Sequence, residues 1–254
     1  MIKKSFVFLN RVDEKKERNI WHQGIRNWND FTKTKTIKGL SKKTKKNCDL
    51  QIKEASVALR NGDSSFFSQN LKTKYAWRLY DHFKEESCFL DIETTGVKTT
   101  DEVIAIGIFD GIKTKTMIKG INLDRKKISR ELKKYKIIIT FNGLSFDIPF
   151  LKKRFKNTIP HLPHIDLKHT CQKIGLKNGL KEIEKTLSIS RDPIITKMRG
   201  GDAYRLWRMY FASGDKHYLN LLIEYNEEDI INLKKIADYT IKKIQEEFLL
   251  KNKT

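Results

Sequence analysis

The stretch Phe89-Leu90-Asp91-Ile92-Glu93-Thr94-Thr95-Gly96 constrains this chain more than any other. Its apolar residues suit a buried strand, and acids are expensive there unless they bind a metal or pair with a charge. Asp91 and Glu93 stand two apart, so both project from one face of the strand. Two carboxylates aimed at one point make an oxygen-rich site for a hard cation such as Mg²⁺ or Mn²⁺. A surface strand edge with two solvated acids is the bland alternative; the flanking Phe89, Leu90 and Ile92 argue against it.

The pattern changes at about Ser87. Residues 1–86 read as short helical pieces: Glu14–Gln23, Trp28–Lys33, Leu50–Asn61, Ser65–Asn70 and Tyr75–Lys84. From there Cys88–Glu93, Val103–Asp110 and Thr114–Lys119 follow in short succession with glycines between them, as in an antiparallel meander. Lys136–Phe141 and His164–Leu167 add two strands. Arg125–Lys134 and Phe146–Phe155 read as helices, and a long final helix runs from about Tyr218 to Glu247. This order predicts an α/β domain with a mixed sheet over 87–254, behind a small all-helical region over 1–86.

The 254 residues hold 52 Lys and Arg against 31 Asp and Glu, a net charge of +21. Such a surplus fits a polyanionic partner, nucleic acid first, or a solvated surface that only keeps the chain soluble. Seven lysines between Phe31 and Lys46, with no acid among them, leave the same two readings open: a solvated loop or a phosphate-contacting patch. No apolar run approaches the roughly 18–20 residues that span a bilayer, which excludes a membrane-spanning chain. The apolar stretch in Met1–Phe8 is too short for a signal-peptide core. Cys48, Cys88 and Cys171 are odd in number and far apart, so no disulfide partner is expected and a reducing cytoplasm is the expected home. His161, His164, His169 and Cys171 match no common zinc spacing.

Two further stretches carry acids in conspicuous places. In Ile137-Ile138-Ile139-Thr140-Phe141-Asn142-Gly143-Leu144-Ser145-Phe146-Asp147 a buried strand ends at an Asn-Gly turn and a helix begins, with Asp147 in its first turn. Helix capping by Ser145 or Asp147 explains an acid here. It does not explain why the acid follows a strand end so closely, where sites in α/β sheets are built. In the final helix Tyr225 and Asp229 are four apart and share a face. Leu221, Leu222, Tyr225, Asp229 and Leu233 form one stripe, so Asp229 is an acid on an otherwise apolar face. Asp166, after His164, reads as an acid supporting a metal site from behind or as a strand-end residue, the latter being the better reading.

These three stretches, in this order, resemble the DEDD exonuclease superfamily, whose fold is ribonuclease H-like. Asp91 and Glu93 match its D-x-E motif, with Thr94, Thr95 and Gly96 following. Asn142, Phe146 and Asp147 match the second motif, and Tyr225 and Asp229 the third, Y-x(3)-D. The sister branch carries a histidine five residues before the final acid; here that residue is Glu224, so the tyrosine branch is the better match. A closer resemblance is to YprB-like ribonuclease H-like proteins, through residues 141–147, 163–167, 179–184, 201–207 and 225–233. It extends into the first region through Ile20, Trp21, Gly24, Ile25, Trp28 and Phe31 and through residues 77–80. That region looks like a degenerate helix-hairpin-helix whose turn, Leu9–Asp13, lacks the phosphate-binding glycines.

The resemblance implies a metal-dependent nuclease, a 3′–5′ exonuclease using two divalent cations, Mg²⁺ or Mn²⁺. It implies that Asp91 bridges both cations, that Glu93 and Asp229 hold one and that Asp147 serves the other through water. Tyr225 would orient the attacking water, since an unperturbed phenol ionises near pH 10. Thr94, Thr95, Asn142 and Phe146 are the expected substrate contacts. Lys152 and Lys153, on the helix of Asp147, either meet substrate phosphates or form a solvated face. The alternatives are a non-catalytic nucleic-acid-binding or partner-docking module, and a structure-specific endonuclease on the same fold.

Overall fold

Ser87–Thr94, strand β1, forms the middle of a five-stranded sheet. The computed structural model describes residues 1–98, 100–198 and 201–251. Strands β2 (Val103–Phe109) and β3 (Thr114–Ile118) extend the sheet antiparallel on one side, and β4 (Ile137–Thr140) and β5 (His164–Asp166) extend it parallel on the other. The expected meander and mixed sheet are therefore present. Every residue of β2 and β4 is buried, as unbroken apolar runs require when both faces of a sheet are covered.

Strand alternation sorts β1 into two faces. Cys88, Leu90 and Ile92 pack with Ile128 and Leu132 of the helix Arg125–Leu132 and with Phe150 and Leu151 of the helix Asp147–Arg154. Phe89, Asp91 and Glu93 face the other way. On that side lies the 36-residue helix Lys216–Lys251, which buries Leu222, Tyr225, Asp229, Ile230, Leu233, Ile236, Ala237, Ile241 and Ile244 at helical spacing. The parity of β1 thus delivers its two acids to the face that this helix covers.

The N-terminal region departs from expectation in two places. The helix expected at Leu50–Asn61 begins at Lys42 and runs to Arg60. Ser41 caps it, its hydroxyl accepting from Thr44 N at 3.1 Å. The lysine-rich segment is therefore part loop and part first helical turns, and Lys45 is buried, paired with Asp49 at 2.7 Å. The helix expected over Tyr75–Lys84 is a 3₁₀ stretch, Thr73–Leu79, followed by one α turn, Tyr80–Phe83. Five consecutive residues, Tyr75 to Leu79, are buried there, and no single helical face can bury five neighbours; tertiary packing overrides local propensity. Elsewhere, a 3₁₀ turn at Ile2–Lys4 and the helix Glu14–His22 flank Leu9–Asp13.

The apolar core is continuous across residue 86. Phe6, Trp28, Phe31 and Leu79 belong to one buried cluster with Phe89, Ile139, Ile165 and the Ile230–Ile244 part of the long helix. Arg78 ties the region together from inside: its Nη1 donates to Glu17 at 2.7 Å and to Ser5 Oγ at 2.7 Å. The three cysteines are buried and unpaired. No helix among the described residues is long and apolar enough to cross a membrane.

Candidate metal centre

Three of the acids converge. Asp91, Glu93 and Asp229 each place a carboxylate oxygen within 4.8 Å of the others. Asp91 and Glu93 come from β1 and Asp229 from the long helix that crosses it; an acid on that apolar stripe is tolerated because Arg191 pairs with it. Protein atoms crowd the Asp91 and Glu93 carboxylates although both side chains keep some exposure. Burial holds both well above the usual carboxylate range; for Asp91 the Asp147, Glu93 and Asp229 charges add to it, and for Glu93 those of Asp229 and Asp147. Burial also pushes Asp229 up to about 6, with Arg191 opposing it.

Asp147 reaches β1 from a helix on the other face of the sheet. Parallel pairing of β1 with β4 stops at Phe89, because β4 turns away after Thr140. The Ile92 N–H, beyond that point, donates instead to Asp147 Oδ1 at 3.1 Å. Asp147 is the first residue of its helix and buried, and burial pushes its carboxyl up to about 7. The preceding turn is tightly fixed. Asn142 sits at φ +63°, and a Cβ on Gly143 would lie 2.2 Å from Thr140 Oγ1. Asp166 accepts from the Asn142, Leu144 and Lys168 amides at 2.8, 3.1 and 3.0 Å, the strand-end role expected of it.

Tyr225 is buried beside the acids, and the Lys181 ammonium lies 5.3 Å from its ring centroid. Burial, followed by the Asp229, Glu93 and Asp91 charges, raises the phenol above its ordinary value and keeps it protonated. The other sequence candidates have local work to do. Thr94 Oγ1 donates to Gly96 O at 2.6 Å, and Thr95 Oγ1 accepts from Glu102 N at 3.0 Å, so both shape the loop after β1. Asn142 Oδ1 accepts from Lys168 Nζ at 3.2 Å, and Phe146 packs on Phe150 with ring centroids 4.8 Å apart. Lys152 and Lys153 are exposed; Lys152 borders a different cleft, of about 250 Å³, with His161 and His164.

Three residues escaped the sequence reading. Asn226 Nδ2 donates to Asp91 Oδ2 at 3.1 Å. It reaches Asp91 because Gly107 stands directly across from Asp91 in β2; a Cβ there would lie 2.0 Å from Asn226 Oδ1. A glycine inside the run Ile104–Phe109 was the available signal, since it marks close approach of another group. Gly107→Ala is expected to cost about 1–3 kcal/mol of stability by unseating Asn226. Urea denaturation measures this, and an unchanged midpoint would contradict the close contact.

Arg191 is the other omission. Its Nη2 donates to Asp229 Oδ1 and, at 2.7 Å, to Glu184 Oε1, while Nε donates to Glu184 Oε2 at 2.6 Å. Asn232 Nδ2 donates to Glu184 as well, at 3.0 Å. Glu184 stands four residues after Leu180 and three before Leu187, an acid on an apolar stripe like Asp229. Arg191 also borders a cleft of about 970 Å³, lined by Lys181, Lys185 and Lys197 and by Glu182 and Glu184 among others.

All donors in the converging set are carboxylate oxygens, the chemistry of hard divalent cations and not of zinc or copper sites built on nitrogen and sulfur. The residues therefore fit a hard divalent cation, which Asp91, Glu93 and Asp229 would hold with Asp147 nearby.

A family model of the RNase H superfamily matches residues 88–241, more than half of the chain. Among solved structures, the family B DNA polymerase from the hyperthermophilic archaeon Pyrobaculum calidifontis is 14% identical with a TM-score of 0.48, over 60% of this chain and 24% of the polymerase. This chain thus spans about a quarter of the polymerase. A nuclease in its apo form is 17% identical with a TM-score of 0.47, over 70% of this chain and 79% of that one. No curated protein matches the sequence. The matched segment contains every strand residue from Cys88 onward and every acid of the centre, and the chain belongs to the RNase H superfamily.

Proposed function

We propose that this protein is a metal-dependent nuclease, a 3′–5′ exonuclease of the tyrosine DEDD branch close to YprB-like proteins. The carrying observation is the convergence of Asp91, Glu93 and Asp229 within 4.8 Å, with Asp147 against the same strand. Two divalent cations held there would polarise the scissile phosphate and activate water at neutral pH. Asn226 holds Asp91 in position through its amide. Tyr225, kept protonated, orients the attacking water by its hydroxyl and cannot serve as a base. Lys181, Lys185 and Lys197 give the adjoining cleft a basic lining for the backbone of the substrate, in keeping with the net charge of +21. Thr94, Thr95, Asn142 and Phe146 would contact the substrate from the loops after β1 and β4, and the exposed Lys152 and Lys153 would meet its phosphates from the helix of Asp147.

One observation favours the non-catalytic alternative: Arg191 already neutralises Asp229. Two tests separate the readings. Crowded acids repel one another when no cation is present, so millimolar Mn²⁺ is expected to raise Tm by several degrees. No shift would count against an assembled site. Single strands of DNA and RNA labelled at the 5′ end should give a ladder shortened stepwise from the 3′ end. Internal cuts would make the protein an endonuclease, and retained binding without cleavage would make it a binding module.

A further inference from the structure

The helix Asp202–Ser213 buries only Ala203 completely and leaves a row of rings half open. Tyr204 and Trp207 lie near-parallel with centroids 6.1 Å apart. Trp207 and Phe211 follow at 4.9 Å, and Phe211 and Tyr210 at 5.2 Å. Phe211 is 50% exposed. Cations are interleaved with the rings. The exposed Arg208 holds its guanidinium 5.8 Å from the Tyr204 centroid, Arg205 is exposed one turn away, and Lys119 lies 5.5 Å from the Trp207 centroid.

The row adjoins the acid centre. Ala203, Leu206 and Trp207 pack into the apolar cluster that contains Tyr225. Lys119 is ion-paired with Glu102, whose backbone N–H donates to Thr95, two residues beyond Glu93. We infer that this helix is a stacking platform for single-stranded nucleic acid leading to the acid centre, an inference that rests on the nuclease reading and names its substrate class. Rings offered in series with cations between them suit unpaired bases and their phosphates. A duplex hides its base faces within its own stack and gains nothing from the rings. The surplus of basic side chains on this helix, Arg205 and Arg208 against Asp202, favours a polyanion over an acid-bearing or apolar protein surface.

Fluorescence anisotropy in EDTA tests this without cleavage, using short labelled oligothymidylate and oligouridylate and a duplex of equal length. The wild type should bind single strands more tightly than duplex. Charge reversal of Arg205 and Arg208 to Glu, both exposed and so harmless to folding, should weaken single-strand binding by roughly tenfold or more and duplex binding less. Trp207→Ala should cost a similar factor, since one lost base stack is worth roughly 5- to 150-fold. Unchanged single-strand affinity in the double variant, or equal losses for both probes, overturns the platform. Failure of the wild type to bind any probe also overturns it. Hydrolysis in Mn²⁺ is read separately. Cleavage by a protein whose affinity ignores these changes sinks the platform alone. Affinity that responds to them, with no cleavage by the wild type, sinks the nuclease reading alone.

Discussion

Asp91→Asn is expected to abolish hydrolysis while making the metal-free protein more stable. The amide keeps the shape of the side chain and can still accept from Asn226, now 3.1 Å away. It cannot supply the negative charge that a divalent cation needs. Metal catalysis is worth several kcal/mol, so the rate should fall by roughly a thousandfold or more. Stability moves the other way because burial, and then the carboxylates around it, raise the pKa of Asp91. For such a group the folded state binds its proton more tightly than the unfolded chain. Stability is therefore fullest below the ordinary carboxylate pKa and falls as pH rises through the folded values, about 6 for Asp229 and about 7 for Asp147. The variant loses less over that window, so its advantage in Tm should be larger at pH 8 than at pH 5. It should also lose the rise in Tm that Mn²⁺ gives the wild type. A variant that is less stable at pH 8, or that still hydrolyses at the wild-type rate, contradicts the charge account.

Arg191→Met should be the most destabilising single change near the site. The Arg191 side chain is 5% exposed and that of Glu184 2%, and the Arg191 guanidinium is shared between Glu184 and Asp229. Removing it leaves two buried carboxylates without their cation, which costs about 3–5 kcal/mol in comparable settings. The deficit should shrink towards pH 5, where Asp229, with its pKa at about 6, takes up a proton. The double variant Glu184→Gln with Arg191→Met should recover part of the loss, because one of the stranded charges is gone. Urea denaturation at pH 8 and pH 5 reads both effects. A loss below about 1 kcal/mol at pH 8 would show that the ion pair is not formed in solution.

The sequence made the strands and the three acid-bearing stretches legible because each rests on local pattern. Parity puts Asp91 and Glu93 on one face, and a four-residue step puts Tyr225 and Asp229 on one helical stripe; the structure brings both pairs to the same place. What stayed hidden depends on contacts between distant segments. Gly107 gains its meaning from a helix more than a hundred residues later, and Arg191 reaches its partners from a loop with no periodicity of its own. The start of the helix at Lys42 was missed because a lysine run reads as a loop when only apolar spacing is followed, although Ser41 offered the cap. The 3₁₀ stretch Thr73–Leu79 was misread for the opposite reason, since its shape is imposed by burial on all sides.

The most direct test of the central claim is a titration. Protein freed of metal with EDTA and dialysed would receive Mn²⁺ stepwise while the shortening of a 5′-labelled single strand is followed. The account predicts no hydrolysis without metal, a rate that rises to saturation with Mn²⁺, and no rate at any Mn²⁺ concentration in Asp91→Asn. Hydrolysis that persists in EDTA, or a wild type that stays inactive at saturating Mn²⁺, would contradict it.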